Sequence, residues 1–165
     1  MSDERSLYDT DFLTWTEEQA AALRELAARR DLPNTLDLEN VIEEIETLGR
    51  SELKAATIPI RLTLEHLLKL AFDPDSDAQR HWRAEITTWH ADVLEELLPS
   101  MQRKIELDRL WQYAVRRARG PLQERDRSLP EWLPTTCPLG LRDFLAPVFD
   151  VDAALARIRA PTGGA

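Results

Sequence analysis

The chain has 165 residues, a formal charge of −9 and a single cysteine, Cys137. That length suits one domain with its own core, and a lone cysteine excludes an internal disulfide framework. The acidic balance argues against generic nucleic-acid binding, which draws most of its affinity from basic patches.

Apolar residues recur at helical spacing along almost the whole chain, and no run alternates as a strand would. Tyr8, Phe12 and Trp15, four and three apart, predict a short helical turn with one aromatic face. Thr16 with Gln19 reads as a capping box opening a helix to about residue 30, striped by Leu23, Leu26 and Ala27. Arg29 and Arg30 close it, and Leu32, Pro33 and Asn34 make a turn. Asp37 opens the next helix. Its apolar face is Leu38, Val41, Ile42, Ile45 and Leu48, its polar face Glu39, Glu43, Glu46 and Arg50, and Gly49 is placed to end or bend it. Residues 51–72 read as a central helix, apolar on most sides, with Arg61, Glu65 and Lys69 as a four-spaced polar ladder. Pro59 either kinks this helix or falls in the first turn of one starting near Thr57.

Ser76 caps a helix over about residues 77–98, where Trp82, Ile86, Trp89, Val93 and Leu97 recur at four, three, four and four, and Pro99 ends it. A fifth helix covers about residues 101–119, with Leu107, Leu110, Trp111, Ala114 and Ala118 inward, and Gly120-Pro121 terminates it. Residues 121–138 form a proline-bearing connection that Trp132 and Leu133 pin down. A short helix near 139–145 follows, with Phe149 packing back, a last turn or two over 152–159 and a disordered tail, 161–165. The expected fold is all-α: one domain over residues 1–160, a bundle of about five main helices around a central buried helix, with a short C-terminal helix.

The strings LYDTDFLTWTEEQAAALRE, LDLENVIEEIETLGRSE, EHLLKL, a Trp82-led helix ending before Pro99-Ser100, and CPLGLRDFLAPVF occur in that order. Over about residues 7–150 the chain thereby resembles the bacterial domain-of-unknown-function family 29 (DUF29); the second string is the most specific. The resemblance implies an all-α cytoplasmic protein and no known activity. Two positions depart from the family's usual pattern: Pro59 in the central helix, and Leu139 where a tryptophan usually follows the Cys-Pro pair.

No apolar run approaches the ~20 residues of a membrane span, and the start, MSDERSLYD, lacks the basic and apolar parts of a signal peptide. We therefore expect a soluble, cytoplasmic protein without membrane contact. Bundles build metal sites from carboxylates and histidines on facing helices, so Glu43, Glu46, His66 and His90 are a candidate polar or metal cluster. The blander reading pairs His66 with Glu43 or Glu44 as a structural contact. Cys137 has only Arg142 nearby in sequence to activate its thiol, and Ser51 reads as a helix cap. Trp82, Trp89 and Trp111 sit at core spacing, whereas Trp15 and Trp132 lie at segment ends where a partner could meet them.

Charge is uneven: residues 1–60 hold 14 acidic against 6 basic side chains, residues 99–127 hold 8 basic against 4 acidic. Arg116, Arg117 and Arg119 are a candidate anion-binding surface, the blander reading being a solvated helix face. The function expected first is a non-catalytic protein–protein interaction module, binding another protein or itself, with no cofactor assigned. The alternative is a metal-dependent hydrolase or nucleotide-processing enzyme built on the Glu/His cluster. A third, an acidic partner masking a nucleic-acid-binding protein, rests on charge alone.

Overall fold

The computed structural model describes residues 6–29, 31–33 and 35–161. All regular structure among them is helical: α1 (Leu7–Thr10), α2 (Phe12–Ala27), α3 (Leu38–Phe72), α4 (Gln79–Glu96), α5 (Pro99–Gln102), α6 (Leu107–Gln123), α7 (Leu141–Phe144) and α8 (Val151–Arg159). The all-α expectation is met. Among the described residues no helix is long and apolar enough to cross a membrane. The chain divides into two compact units, residues 1–56 with 98–104, and residues 57–97 with 105–165. Arg30, Asn34 and the expected tail from residue 162 onward lie outside the described residues.

In the first unit, Tyr8, Phe12 and Trp15 share a face as expected, with ring centroids 4.9–5.5 Å apart. The cap of α2 is Asp11, not Thr16: its carboxylate accepts the Thr14 N–H at 3.0 Å, so the helix starts five residues earlier. Thr16 lies inside α2, buried, its hydroxyl donating to the Leu13 carbonyl at 2.7 Å. The buried stripe of α2 is Leu13, Thr16 and Ala20. Asp37 does precede α3, accepting the Asn40 N–H at 3.2 Å. Gly49 neither ends nor bends that helix. It is buried against the Thr16 hydroxyl and the Leu13 side chain, where its missing Cβ lets two helices touch. Of the apolar face read for this part of α3, Leu38 and Ile42 are buried, but Val41 and Leu48 are 41% and 50% exposed. Positions turn about 100° per residue, and the apolar positions here span a wider arc than α2 covers.

Ser51, in the first unit, is an exposed residue inside α3 rather than a cap. In the second unit, α3 runs on through Pro59 without splitting. Ile60, Leu64, Leu67, Leu68 and Leu70 are fully buried, which confirms the apolar central segment and offsets the hydrogen bond a proline removes. Arg159 of α8 closes the C-terminus of α3: its Nη2 and Nε donate to the Leu70 and Ala71 carbonyls at 2.9 and 3.2 Å. Ser76 accepts the Ala78 N–H at 3.2 Å, one turn before α4 begins. Ile86, Val93 and Leu97 are buried, with Trp82 and Trp89 half-buried beside them. Pro99, in the first unit, opens α5 as its first residue.

The fifth expected helix is two pieces, α5 and α6, and Gly120-Pro121 does not end α6. Trp111, Ala114, Ala118 and Leu122 are all buried at spacings of three, four and four, so the apolar face continues past the proline. The helix closes at Asp126, in the left-handed region (φ 56°). There the Arg127 N–H bonds the Leu122 carbonyl at 2.9 Å and the Asp126 N–H bonds that of Gln123 at 3.0 Å. Arg125 and Arg127 then both meet the buried carboxylate of Asp73.

Candidate functional site

At about 100° per residue, the polar side of α6 beside its buried face is Gln112, Arg116, Arg119 and Gln123, with Val115 at the border. Opposite this wall the chain returns as an irregular strap over residues 128–135. Two side-chain bonds tie the strap back: the Trp111 Nε1–H donates to the Pro134 carbonyl at 2.8 Å, and Gln112 Nε2 to that of Thr135 at 3.3 Å. Farther on, the Cys137 N–H donates to Asp108 at 2.8 Å. Trp132 meets Phe72 edge-on, 6.2 Å between centroids, although its own side chain is 40% exposed.

Between wall and strap lies a cleft of about 500 Å³. Trp111, Val115, Leu129, Pro130, Leu133 and Pro134 give it an apolar floor, and Arg116, Arg119 and Glu131 are its charged lining. Neither arginine forms an ion pair among the described residues. Arg116 stands 5.8 Å from the Tyr113 ring centroid, and Arg61 covers that ring at 4.7 Å. Of the three arginines read as an anion surface, Arg116 and Arg119 line this cleft. Arg117 is exposed and, about 100° round the helix from Arg116, is not part of the lining. The sequence named the cations but not the wall facing them; Trp132-Leu133 between prolines was its only trace.

Of the candidate metal cluster, Glu43 and Glu46 belong to the first unit, His66 and His90 to the second. Glu43 is exposed, and Glu46 pairs with Arg24. His66 bonds Glu85, Nε2 to Oε2 at 2.8 Å, so its structural partner is neither Glu43 nor Glu44. His90 Nε2 donates to the Ala146 carbonyl at 2.9 Å. Among the described residues no group of three or more His, Cys, Asp or Glu side chains is placed to hold a metal ion.

His66 sits edge-on to Trp89 and Trp82, at 4.7 and 6.2 Å between centroids. Burial holds its pKa below the usual histidine range; Lys69 acts in the same direction, and Glu85 only partly opposes them. The ring is therefore neutral at pH 7. Because a carboxylate can only accept, the proton is on Nε2, which leaves Nδ1 buried with no hydrogen-bond partner. Burial pushes the Cys137 thiol up to about 11, so it is protonated at neutral pH and a poor nucleophile.

Residues 7–150 match the family described as "Domain of unknown function DUF29". The chain is also similar to a crystallised α-helical protein of unknown function from Rhodospirillum rubrum, with 36% identity and a TM-score of 0.76. That alignment covers 94% of this chain and 99% of the other. No curated protein matches.

Proposed function

We propose, for a chain that belongs to the DUF29 family, that it is a non-catalytic interaction module whose α6 cleft holds an acidic, apolar-bearing segment of a protein partner. One observation carries this reading: two guanidiniums, without carboxylate partners among the described residues, stand about one turn apart over an apolar floor. An unpaired arginine fork suits a carboxylate, and the floor rewards apolar side chains beside it. Among the described residues no histidine or cysteine lines the cleft, which favours holding over turnover. A lysine- or arginine-rich segment gains nothing from this wall.

The test is calorimetric titration with a synthetic peptide carrying glutamates and leucines at helical spacing, against the same peptide with lysine for glutamate. Saturable binding of the acidic peptide alone, weakened at least tenfold by Arg116→Glu/Arg119→Glu, is the expected result. No saturation, or equal binding of both peptides, overturns the reading.

A further inference from the structure

A segment of the required chemistry lies on this chain itself. On the first unit, Asp37, Val41, Glu44, Leu48 and Glu52 follow one another at spacings of four, three, four and four, and so fall on one stripe of the α3 surface. All five are exposed, Val41 and Leu48 to 41% and 50%. Acidic and apolar side chains alternate along it. Neither Glu44 nor Glu52 forms an ion pair among the described residues, whereas Glu46, on the side of α3 that meets α2, is taken by Arg24. Aliphatic residues a turn or two apart on one helix face have the spacing of anchors in a helix-in-groove contact.

On α6 the complementary series is Arg109, Gln112, Arg116, Arg119 and Gln123, at three, four, three and four. The two series have the same helical period, and their charges are opposite. Arg116 and Arg119 are offset by about 4.5 Å along the axis, so one carboxylate can lie between them. Glu52 stands about 12 Å along α3 from Glu44, and Arg109 about 13 Å along α6 from the midpoint of the arginine pair. The spacings coincide when the two helices run antiparallel. Arg109 is exposed, and its present partner Glu106 is a surface neighbour at 3.1 Å, a pair of the kind that rearranges at little cost.

We propose that the occupant of the cleft is a second copy of this chain, whose α3 stripe sets Glu44 between Arg116 and Arg119, Glu52 against Arg109, and Val41 and Leu48 on the apolar floor. This rests on the cleft reading given above and adds to it the identity of the partner. Each copy carries both halves of the contact, so association raises the mass to a dimer or beyond.

The experiment is sedimentation equilibrium over a wide concentration range. It uses the full chain and two charge-reversed variants, Arg109→Glu/Arg116→Glu/Arg119→Glu and Glu44→Arg/Glu52→Arg, each checked for unchanged helicity and melting. The wild type is expected to associate with rising concentration. Each variant alone, left with like charges at every contact, associates at least tenfold more weakly. An equimolar mixture regains association, because the acidic cleft of one accepts the basic stripe of the other. A wild type that stays monomeric, variants that associate as it does, or a mixture that stays apart overturns the proposal. If the wild type is monomeric while the acidic peptide still binds, self-association is wrong and the cleft reading stands. If the peptide does not bind either, both fall.

Discussion

Gly49 shows how much one absent side chain decides. A Cβ there would meet the Thr16 hydroxyl oxygen closer than real atoms approach, with the Thr16 Cβ at 3.3 Å behind it. Thr16 is buried and its hydroxyl is committed to the Leu13 carbonyl, so it has little room to turn away. Gly49→Ala should destabilise the chain by about 1–3 kcal/mol despite alanine's better helix propensity. Adding Thr16→Ala, which removes the nearest atom, should recover part of the loss in a urea-unfolding series. An additive double mutant would show that the clash is not the cause. His66 gives a pH effect of definite sign. Its folded pKa lies below the unfolded value of about 6.5, so the unfolded chain binds the proton first. Stability is then full above about pH 6.5 and is lost as pH falls toward the folded pKa. Replacing His66 with Gln should flatten the pH dependence of the melting temperature just below pH 6.5. An unchanged slope would place the proton uptake elsewhere.

At the scale of helices, periodicity made the buried stripes legible and punctuation did not mark the ends. Trp111, Ala114 and Ala118 were read correctly, and so was the run from Ile60 to Ala71. Gly49, Pro59 and Gly120-Pro121 each looked like a boundary and none is one. In each case burial of a continuing face outweighs the local penalty, a tertiary effect that a window of sequence does not contain. The site was half legible for the same reason. Charge counting found Arg116 and Arg119, but the strap opposite them has no period to read. For Glu43, Glu46, His66 and His90, helical spacing gives each residue's face and not the neighbour across from it; the histidines bond Glu85 and the Ala146 carbonyl. Gly120 remains a local weakness in α6, since no atom lies within 4 Å of where its Cβ would be. Gly120→Ala should therefore stabilise the protein by about 0.5–1 kcal/mol. A melting temperature that falls instead would mean that the glycine serves the turn through Pro121.

For the molecule as a whole, the net charge of −9 opposes the approach of any acidic partner, another copy included. On the proposed reading, binding at the cleft comes from local attraction and apolar burial acting against a repulsive background. Added salt screens both the repulsion and the contact between charges. At about 1 M salt the screening length is about 3 Å, against about 10 Å at 0.1 M. Affinity for the acidic peptide should fall several-fold between these conditions without vanishing, because the floor beneath Arg116 and Arg119 does not depend on charge. Complete loss in high salt would assign the binding to electrostatics alone, and no change would remove the arginines from the contact.

The strap from residue 128 to 135 meets α6 through side-chain bonds to its carbonyls, with no ladder of backbone pairing. A wall attached in this way can be lengthened, shortened or rewritten while the rod behind it keeps its buried face. Descendants of such a chain could reshape the cleft by editing a loop, leaving the machinery of folding as they inherited it.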